Sequence, residues 1–260
     1  MKTDFNYHTH TALCGHAEGT MEEYIKSAIE GGIKSMGFSD HAPYVFPDGH
    51  QSHFRVPVEK AKQYVEDLKT LRNKHKSKID IIIGFEMEYY HAHFEKMLKT
   101  VKGVGAEYLI LGQHYLDDDP TESRAVLEES DDINRLREYA FSIISAIESG
   151  VFTYVAHPDM INFSGDDGAY NEEMRKICVA SKKQGIPLEI NFNGIRNNRI
   201  YPKDAFWKVA GEEHSPVTIG FDAHKASEAY DAESLKEAER IIKEYSLNYI
   251  GKPHIIFINK

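Results

Sequence analysis

The sequence predicts an α/β fold, a barrel of seven β-α units. Three observations predict it. Short apolar strands alternate with longer helical stretches seven times in a row, and that repeated alternation implies a parallel sheet closed into a barrel more than an open one. The chain has 260 residues, the usual size of one α/β barrel. No Pro/Ser-rich linker and no break in composition divides it, so residues 1–260 read as a single domain.

The strands are expected at Phe5–Thr11, Ser35–His41, Ile79–Glu88, Tyr108–Tyr115, Tyr154–Asp159, Pro187–Phe192 and Val217–His224. The helices between and after them are expected at Met21–Glu30, Pro57–His75, Ala92–Lys102, Ile133–Ser149, Asn171–Gln184, Lys203–Val209 and Ala232–Tyr245. Pro57 near a helix start and Gly185 just past a helix end are the punctuation expected of helices. Asp117–Asp119 and Ser164–Gly168 read as surface loops. His254–Ile258 has the pattern of an extra edge strand without an evident place.

Composition narrows the function. Hydrophobic residues make up 41% and charged residues 28%, as in an ordinary soluble enzyme. Lys and Arg number 31 against 41 Asp and Glu, a net charge of −10, which does not attract nucleic acid by bulk charge. Two cysteines, Cys14 and Cys178, cannot build a disulfide framework and fit a reducing compartment. No apolar run reaches the roughly 18 residues of a membrane helix, and the start has no apolar signal core. A cytoplasmic enzyme without membrane or nucleic-acid partners is expected; the sequence says nothing of oligomeric state.

The 14 histidines decide where the chemistry lies. The first strand ends in His8-Thr9-His10, with His16 in the next loop. The second ends in Asp40-His41, the third in Glu86-Met87-Glu88, the fourth in Gln113-His114, the fifth in His157-Pro158-Asp159 and the seventh in Asp222-Ala223-His224. In a strand, residues i and i+2 point the same way, so His8 with His10, Glu86 with Glu88, and Asp222 with His224 can converge. Every cluster falls at the C-terminal end of its strand, the face where barrel enzymes place their sites. A lone histidine at a strand end is ordinarily a hydrogen-bonded structural residue; six clusters at one end are not explained that way. Imidazole and carboxylate together suit zinc, iron or manganese. The set is too large for one ion, so two or three divalent metals are expected, with a carboxylate as bridge. Such sites serve phosphoester hydrolysis. Cys14, between His10 and His16, reads as a buried thiol beside the site, Cys178 as core, and Asp159 as a loop hydrogen-bond acceptor. His50 and His53 are placed near the mouth.

These motifs resemble, in order, those of the PHP (polymerase and histidinol phosphatase) family: HTHTALCGHA from His8, SDHAP from Ser39, GFEMEY from Gly84, GQHY from Gly112, AHPD from Ala156, EINFNGIR from Glu189 and FDAH from Phe221. The first string and the motifs that follow it are similar to the free-standing histidinol-phosphate phosphatase branch. The resemblance spans nearly the whole chain. It implies a distorted (β/α)7, TIM-like barrel and a trinuclear site. His8, His10, Glu86 and Asp222 would hold one ion. Glu86 would bridge to a second shared with His114 and His157. His16, His41 and His224 would hold the third.

The implied reaction is hydrolysis of a small phosphate monoester by a metal-bridging hydroxide, with L-histidinol phosphate the substrate the resemblance points to. Glu18 and Asp40 are candidates to manage protons. Arg196, in the loop after the sixth strand, is the phosphate contact that the resemblance implies, and a guanidinium suits the role because it binds phosphate bidentately. Arg199 and Arg55 are further candidates, and Glu88 is a candidate for the substrate amine. Another sugar-phosphate or nucleotide monoester is the alternative within the class. A polymerase-associated exonuclease or structural module is a different one, disfavoured by the absence of a basic groove or polymerase segment. An amidohydrolase would commonly use a strand-end bridging lysine, which these clusters lack.

Overall fold

A computed structural model describes residues 1–116 and 124–259. Four parallel strands form one sheet in sequence order: β1 (Phe5–Asn6), β2 (Ser35–His41), β3 (Asp80–Met87) and β4 (Tyr108–Leu111). Three more form a second parallel sheet: β5 (Leu188–Asn191), β6 (Pro216–Gly220) and β7 (Asn248–Tyr249). Backbone bridges join the two into a ring. Val155 pairs in parallel with Leu111 on one side and Leu188 on the other. Thr9 pairs with Ala223, with the His10 amide donating to the Ala223 carbonyl at 3.0 Å and the Ala223 amide to the His8 carbonyl at 3.2 Å. The barrel therefore closes, and its distortion lies at these two seams.

The fifth expected strand, Tyr154–Asp159, is thus reduced to the bridge at Val155. His157 explains the break: its φ is 32°, left-handed, so the chain leaves the sheet direction two residues later. β7 was not expected. It pairs with the start of β6 through Pro216–Asn248 and Val217–Tyr249. His254–Ile258 is not an edge strand; it touches the sheet through one antiparallel bridge, Phe257 to Tyr108.

The helices are α1 (Met21–Glu30), α2 (Val58–His75), α3 (Phe94–Val104), α4 (Ile133–Ser149), α5 (Asp167–Gln184), α6 (Phe192–Arg196), α7 (Asp204–Glu213) and α8 (Ala232–Glu244). Local chemistry sets their ends. Thr20 and Glu23 form a reciprocal capping box on α1. Asp132 caps α4, and Gly150 ends it at φ 69°. Asp166 caps α5, which starts four residues before the expected Asn171, so Ser164–Gly168 is only partly loop. The run Asp117–Asp119 lies outside the described residues. The strands β2, β3 and β4 are buried nearly throughout, because helices cover one face and the barrel interior the other. Among the described residues no helix is long and apolar enough to cross a membrane.

Candidate metal centre

The strand ends converge on Glu86, near the end of β3. It is 1% exposed, and its two oxygens face different histidines. Oε1 lies 2.8 Å from His157 Nε2 and 3.5 Å from His114 Nε2. Oε2 lies 3.2 Å from His41 Nδ1, 3.5 Å from His10 Nε2 and 3.6 Å from His8 Nε2. Gly112 makes room for this carboxylate, since a Cβ there would collide with it. Asp222 approaches from beyond β6. Its Oδ1 is 3.3 Å from His10 Nε2 and 3.7 Å from His8 Nε2. Its Oδ2 accepts from the side-chain Nδ2 of Asn191 at 3.1 Å and of Asn193 at 3.2 Å. Asp222 has a φ of 46°, rare for a non-glycine residue and found where a site demands a particular aim.

Donor atoms of His16, His41 and His224 fall together, as do those of His8, His10 and Asp222, and of His8, Glu86 and His157. Two details fit a cation among them. The Nε2 atoms of His8 and His10 face each other at 3.2 Å, a spacing that suits a shared ion better than two identical ring nitrogens alone. Glu86 Oε2 and Asp222 Oδ1 are buried without a hydrogen-bond partner among the described residues, and buried carboxylate oxygens left so are costly unless they coordinate a cation.

The electrostatics show a coupled cluster. Burial opposes ionisation of Glu86, yet the imidazoles of His114, His8 and His41 hold its carboxyl well below the usual range. Asp222 is likewise held low against burial by His8, His10 and His224. Burial would lower His8, but the carboxylates of Glu189, Asp222 and Glu86 raise it to about 10. Burial and the neighbouring His10 charge push His224 down to about 3.

Behind these groups stands a layer of buried carboxylates. Glu189 in β5 lies 3.0 Å from His8 Nδ1, and Gly220 leaves the space it fills. Sequence reasoning passed over Glu189, although it opens a quoted motif; its only signal was an acid alternating into the barrel interior. Glu88 lies 2.8 Å from His114 Nδ1 and accepts from Arg55 Nη1 at 2.7 Å. Asp40 accepts from the Thr11 and His41 amides at 3.1 and 2.8 Å and lies 3.5 Å from His10 Nδ1. Carboxylates in this position fix ring orientation and tautomer.

Several expectations are corrected. Glu88 does not face a substrate amine; it is buried and committed to His114 and Arg55. Arg55 is equally buried, donating also to Ser52 Oγ and the Ala42 carbonyl. Asp40 is buried and does not line the cavity. Glu18 is exposed, and its links to the structure are backbone ones, its amide to His224 O and its carbonyl to Tyr24. Arg196 ends the short helix α6, where a loop was expected, and bonds the carbonyls of Phe221 and Asp222.

A cavity of about 590 Å³ opens over the cluster. Among the described residues its wall includes Arg199 and not Arg196. Arg199 is exposed there, and its guanidinium has no hydrogen bond or ion pair among the described residues. Lys225, Asn193 and Asn197 line the same side, and Phe54, Tyr115, Leu127 and Met160 supply an apolar one. His53 lines the mouth and His50 does not. The buried thiol of Cys14 also reaches the cavity; burial works against its ionisation, but His10 and His16 lower it.

Comparison with known proteins gives a consistent picture. The PHP domain family model matches residues 6–193. A protein named probable histidinol-phosphatase from Deinococcus radiodurans is 30% identical over 231 residues, covering 85% of this chain and 86% of that one. The histidinol-phosphatase of Bacillus subtilis is 25% identical over 258 residues, covering 86% and 96%. A crystal structure of histidinol phosphate phosphatase from Lactococcus lactis, in complex with zinc, L-histidinol and phosphate, superposes with a TM-score of 0.71 at 18% identity, over 100% of this chain and 99% of that one.

Proposed function

The chain belongs to the PHP family, and from that we propose that it is a metal-dependent phosphomonoesterase whose substrate is L-histidinol phosphate. The observation that carries the metal reading is Glu86, with one oxygen toward His114 and His157 and the other, amid His8, His10 and His41, without a hydrogen-bond partner among the described residues. That is the arrangement a bridging carboxylate needs. We assign His8, His10, Glu86 and Asp222 to one divalent ion, Glu86, His114 and His157 to a second, and His16, His41 and His224 to a third. Zinc, iron and manganese all suit this donor set, and the zinc in the Lactococcus lactis structure favours zinc. The substrate reading is supported by the names of the two curated relatives.

Ions bound there supply Lewis acidity and an activated water. The chain's own groups do the rest. Arg199, exposed and uncommitted at the wall, binds a non-bridging phosphate oxygen. Lys225 adds positive potential on the same side. The apolar wall of Phe54, Tyr115 and Met160 receives the leaving group and excludes water around it. Glu189, Glu88 and Asp40 hold the imidazoles in place, so little reorganisation is needed during the reaction.

The test is metal analysis of the purified protein with a phosphate-release screen. L-histidinol phosphate, sugar phosphates and nucleotides are compared, and ammonia release from amides is measured in parallel. Two or three metal ions per chain and highest kcat/KM on histidinol phosphate are expected. A preference for a nucleotide would replace the substrate, and chelator-insensitive activity would overturn the metal reading.

A further inference from the structure

Arg196 lies close to the metal cluster yet outside the cavity wall, so its contacts need another explanation. Its Nη2 donates to the carbonyls of Phe221 at 2.8 Å and Asp222 at 2.9 Å. Its Nη1 donates to Asp231 Oδ2 at 3.2 Å, the cap of α8. Glu228 Oε2 lies 3.5 Å from Nη2. The same Glu228 oxygen accepts the amides of His224 at 2.8 Å and Lys225 at 3.1 Å. Residues 221–225 are therefore held on both sides, their first carbonyls by Arg196 and their last amides by Glu228.

That segment carries Asp222 and His224. Asp222 keeps the left-handed backbone that turns Oδ1 toward His8 and His10. The side chains of Asn191 and Asn193 steady Oδ2, the seam with His8 and His10 holds the backbone of Ala223, and the guanidinium grips the carbonyls of Phe221 and Asp222. A residue in a sparsely populated conformation persists only where its surroundings hold it. A guanidinium suits the task, since its planar fork can reach two adjacent carbonyls and two carboxylates at once.

We propose that Arg196, acting with Glu228, is a positioning residue that locks the 221–225 segment so that Asp222 and His224 present their donor atoms to metal. This rests on the reading of those two residues as ligands. Arg196→Met removes the fork and keeps most of the apolar stem. Loss of a partner that orients metal ligands costs about 10–100-fold in metal affinity. Zinc affinity, measured by competition with a chromophoric chelator, should fall by that order. The visible spectrum of the cobalt-loaded protein should change, because the coordination geometry changes. Arg196→Lys should recover part of both. KM for the phosphate ester, measured with metal in excess, should stay near wild type. Glu228→Gln, which keeps the shape of the side chain, should shift affinity in the same direction, and the double variant should lose less than the two single losses combined. Arg175→Met, which breaks a partly exposed pairing of α5 with Glu212 and Glu213 and touches no wall of the cavity, controls for general loosening.

Wild-type zinc affinity and cobalt spectrum in Arg196→Met and Glu228→Gln would overturn the proposal. So would unchanged metal content with a raised KM, which would return Arg196 to phosphate binding. Asp222→Asn separates the two levels: if it retains all metal, the ligand assignment itself is wrong; if it loses metal while Arg196→Met does not, only the positioning role fails.

Discussion

Glu189→Gln tests the carboxylate layer most directly. Glu189 is fully buried and serves two neighbours that point hydrogens at it. His8 Nδ1 lies 3.0 Å from Oε2 and 3.2 Å from Oε1, and Asn191 Nδ2 donates to Oε1 at 2.6 Å. A carboxylate accepts from both. A glutamine offers one oxygen, and its NH2 must face either the Asn191 amide or His8 Nδ1. If it faces Asn191, two donors confront each other, leaving a buried group unpaired at a cost of about 1–3 kcal/mol. If it faces His8, Nδ1 must become the acceptor, and the proton moves to Nε2, the nitrogen aimed at Asp222 and Glu86. A protonated Nε2 cannot ligate a metal. The second outcome removes the donor nitrogen, and the first leaves His8 backed by a neutral amide that no longer raises its basicity, so affinity at the first proposed site should fall by about 10–100-fold. Chelator competition measures this, and unfolding of the metal-free variant separates it from loss of stability. A variant that binds zinc as tightly as wild type would refute the argument that Glu189 sets the His8 tautomer.

Three further outcomes are expected. Glu86→Gln removes the charge proposed to bridge two ions and should lose both metal and turnover; full metal content and rate would show that Glu86 does not bridge. Arg199→Met removes one charge-assisted hydrogen bond to phosphate, worth roughly 1.5–3 kcal/mol, so kcat/KM should fall about 10- to 150-fold at wild-type metal content; wild-type kcat/KM would leave Arg199 a solvated arginine. Metal loading should release protons near pH 8. His8 holds a proton up to about 10 in the metal-free chain, and the ion must replace it, so apparent affinity should rise with pH through that range. Isothermal titration in buffers of different ionisation enthalpy reads the proton count, and a count of zero would contradict it.

The parts that sequence revealed share a cause. β2, α1 and α4 have the bounds the pattern predicted, because local signals and burial agree there: the Thr20–Glu23 capping box, Asp132 ahead of α4, and a β2 buried at every position. The histidine clusters were legible because alternation at a strand end turns side chains i and i+2 to the same side. What was illegible depends on partners distant in sequence. Nothing near residue 155 shows that its strand shrinks to one bridge, since the left-handed turn at His157 answers to the site and not to local propensity. Arg196 looked like a phosphate contact because its type and place suited one; only Asp231 and Glu228, more than 30 residues on, show that it is committed elsewhere. Glu88 misled in the same way, since Arg55 lies 33 residues before it.

The same crowding bears on stability. Glu86, Asp222, Asp40, Glu88 and Glu189 are five buried carboxylates within one cluster, and the imidazoles they face are pulled in opposite directions: the carboxylates raise His8 to about 10, while burial and the His10 charge lower His224 to about 3. Two carboxylate oxygens there lack a hydrogen-bond partner among the described residues. A chain built this way folds around a deficit of positive charge that bound cations relieve. Metal that binds the folded chain and not the unfolded one adds stability as RT ln(1 + [L]/Kd), about 2.7 kcal/mol for free metal at 100 times Kd. For a domain of this size each kcal/mol moves the midpoint by roughly 2–4 °C. Removing one such ion should therefore lower the melting temperature by about 5–10 °C, and removing several should lower it further. The measurement is thermal unfolding before and after dialysis against chelator, followed by restoration with zinc. Asp222→Asn should shrink the difference between the two states, since it weakens binding while keeping the side chain's shape. Equal melting temperatures with and without metal would mean that the cluster satisfies itself, and the unpartnered oxygens of Glu86 and Asp222 would then need another explanation.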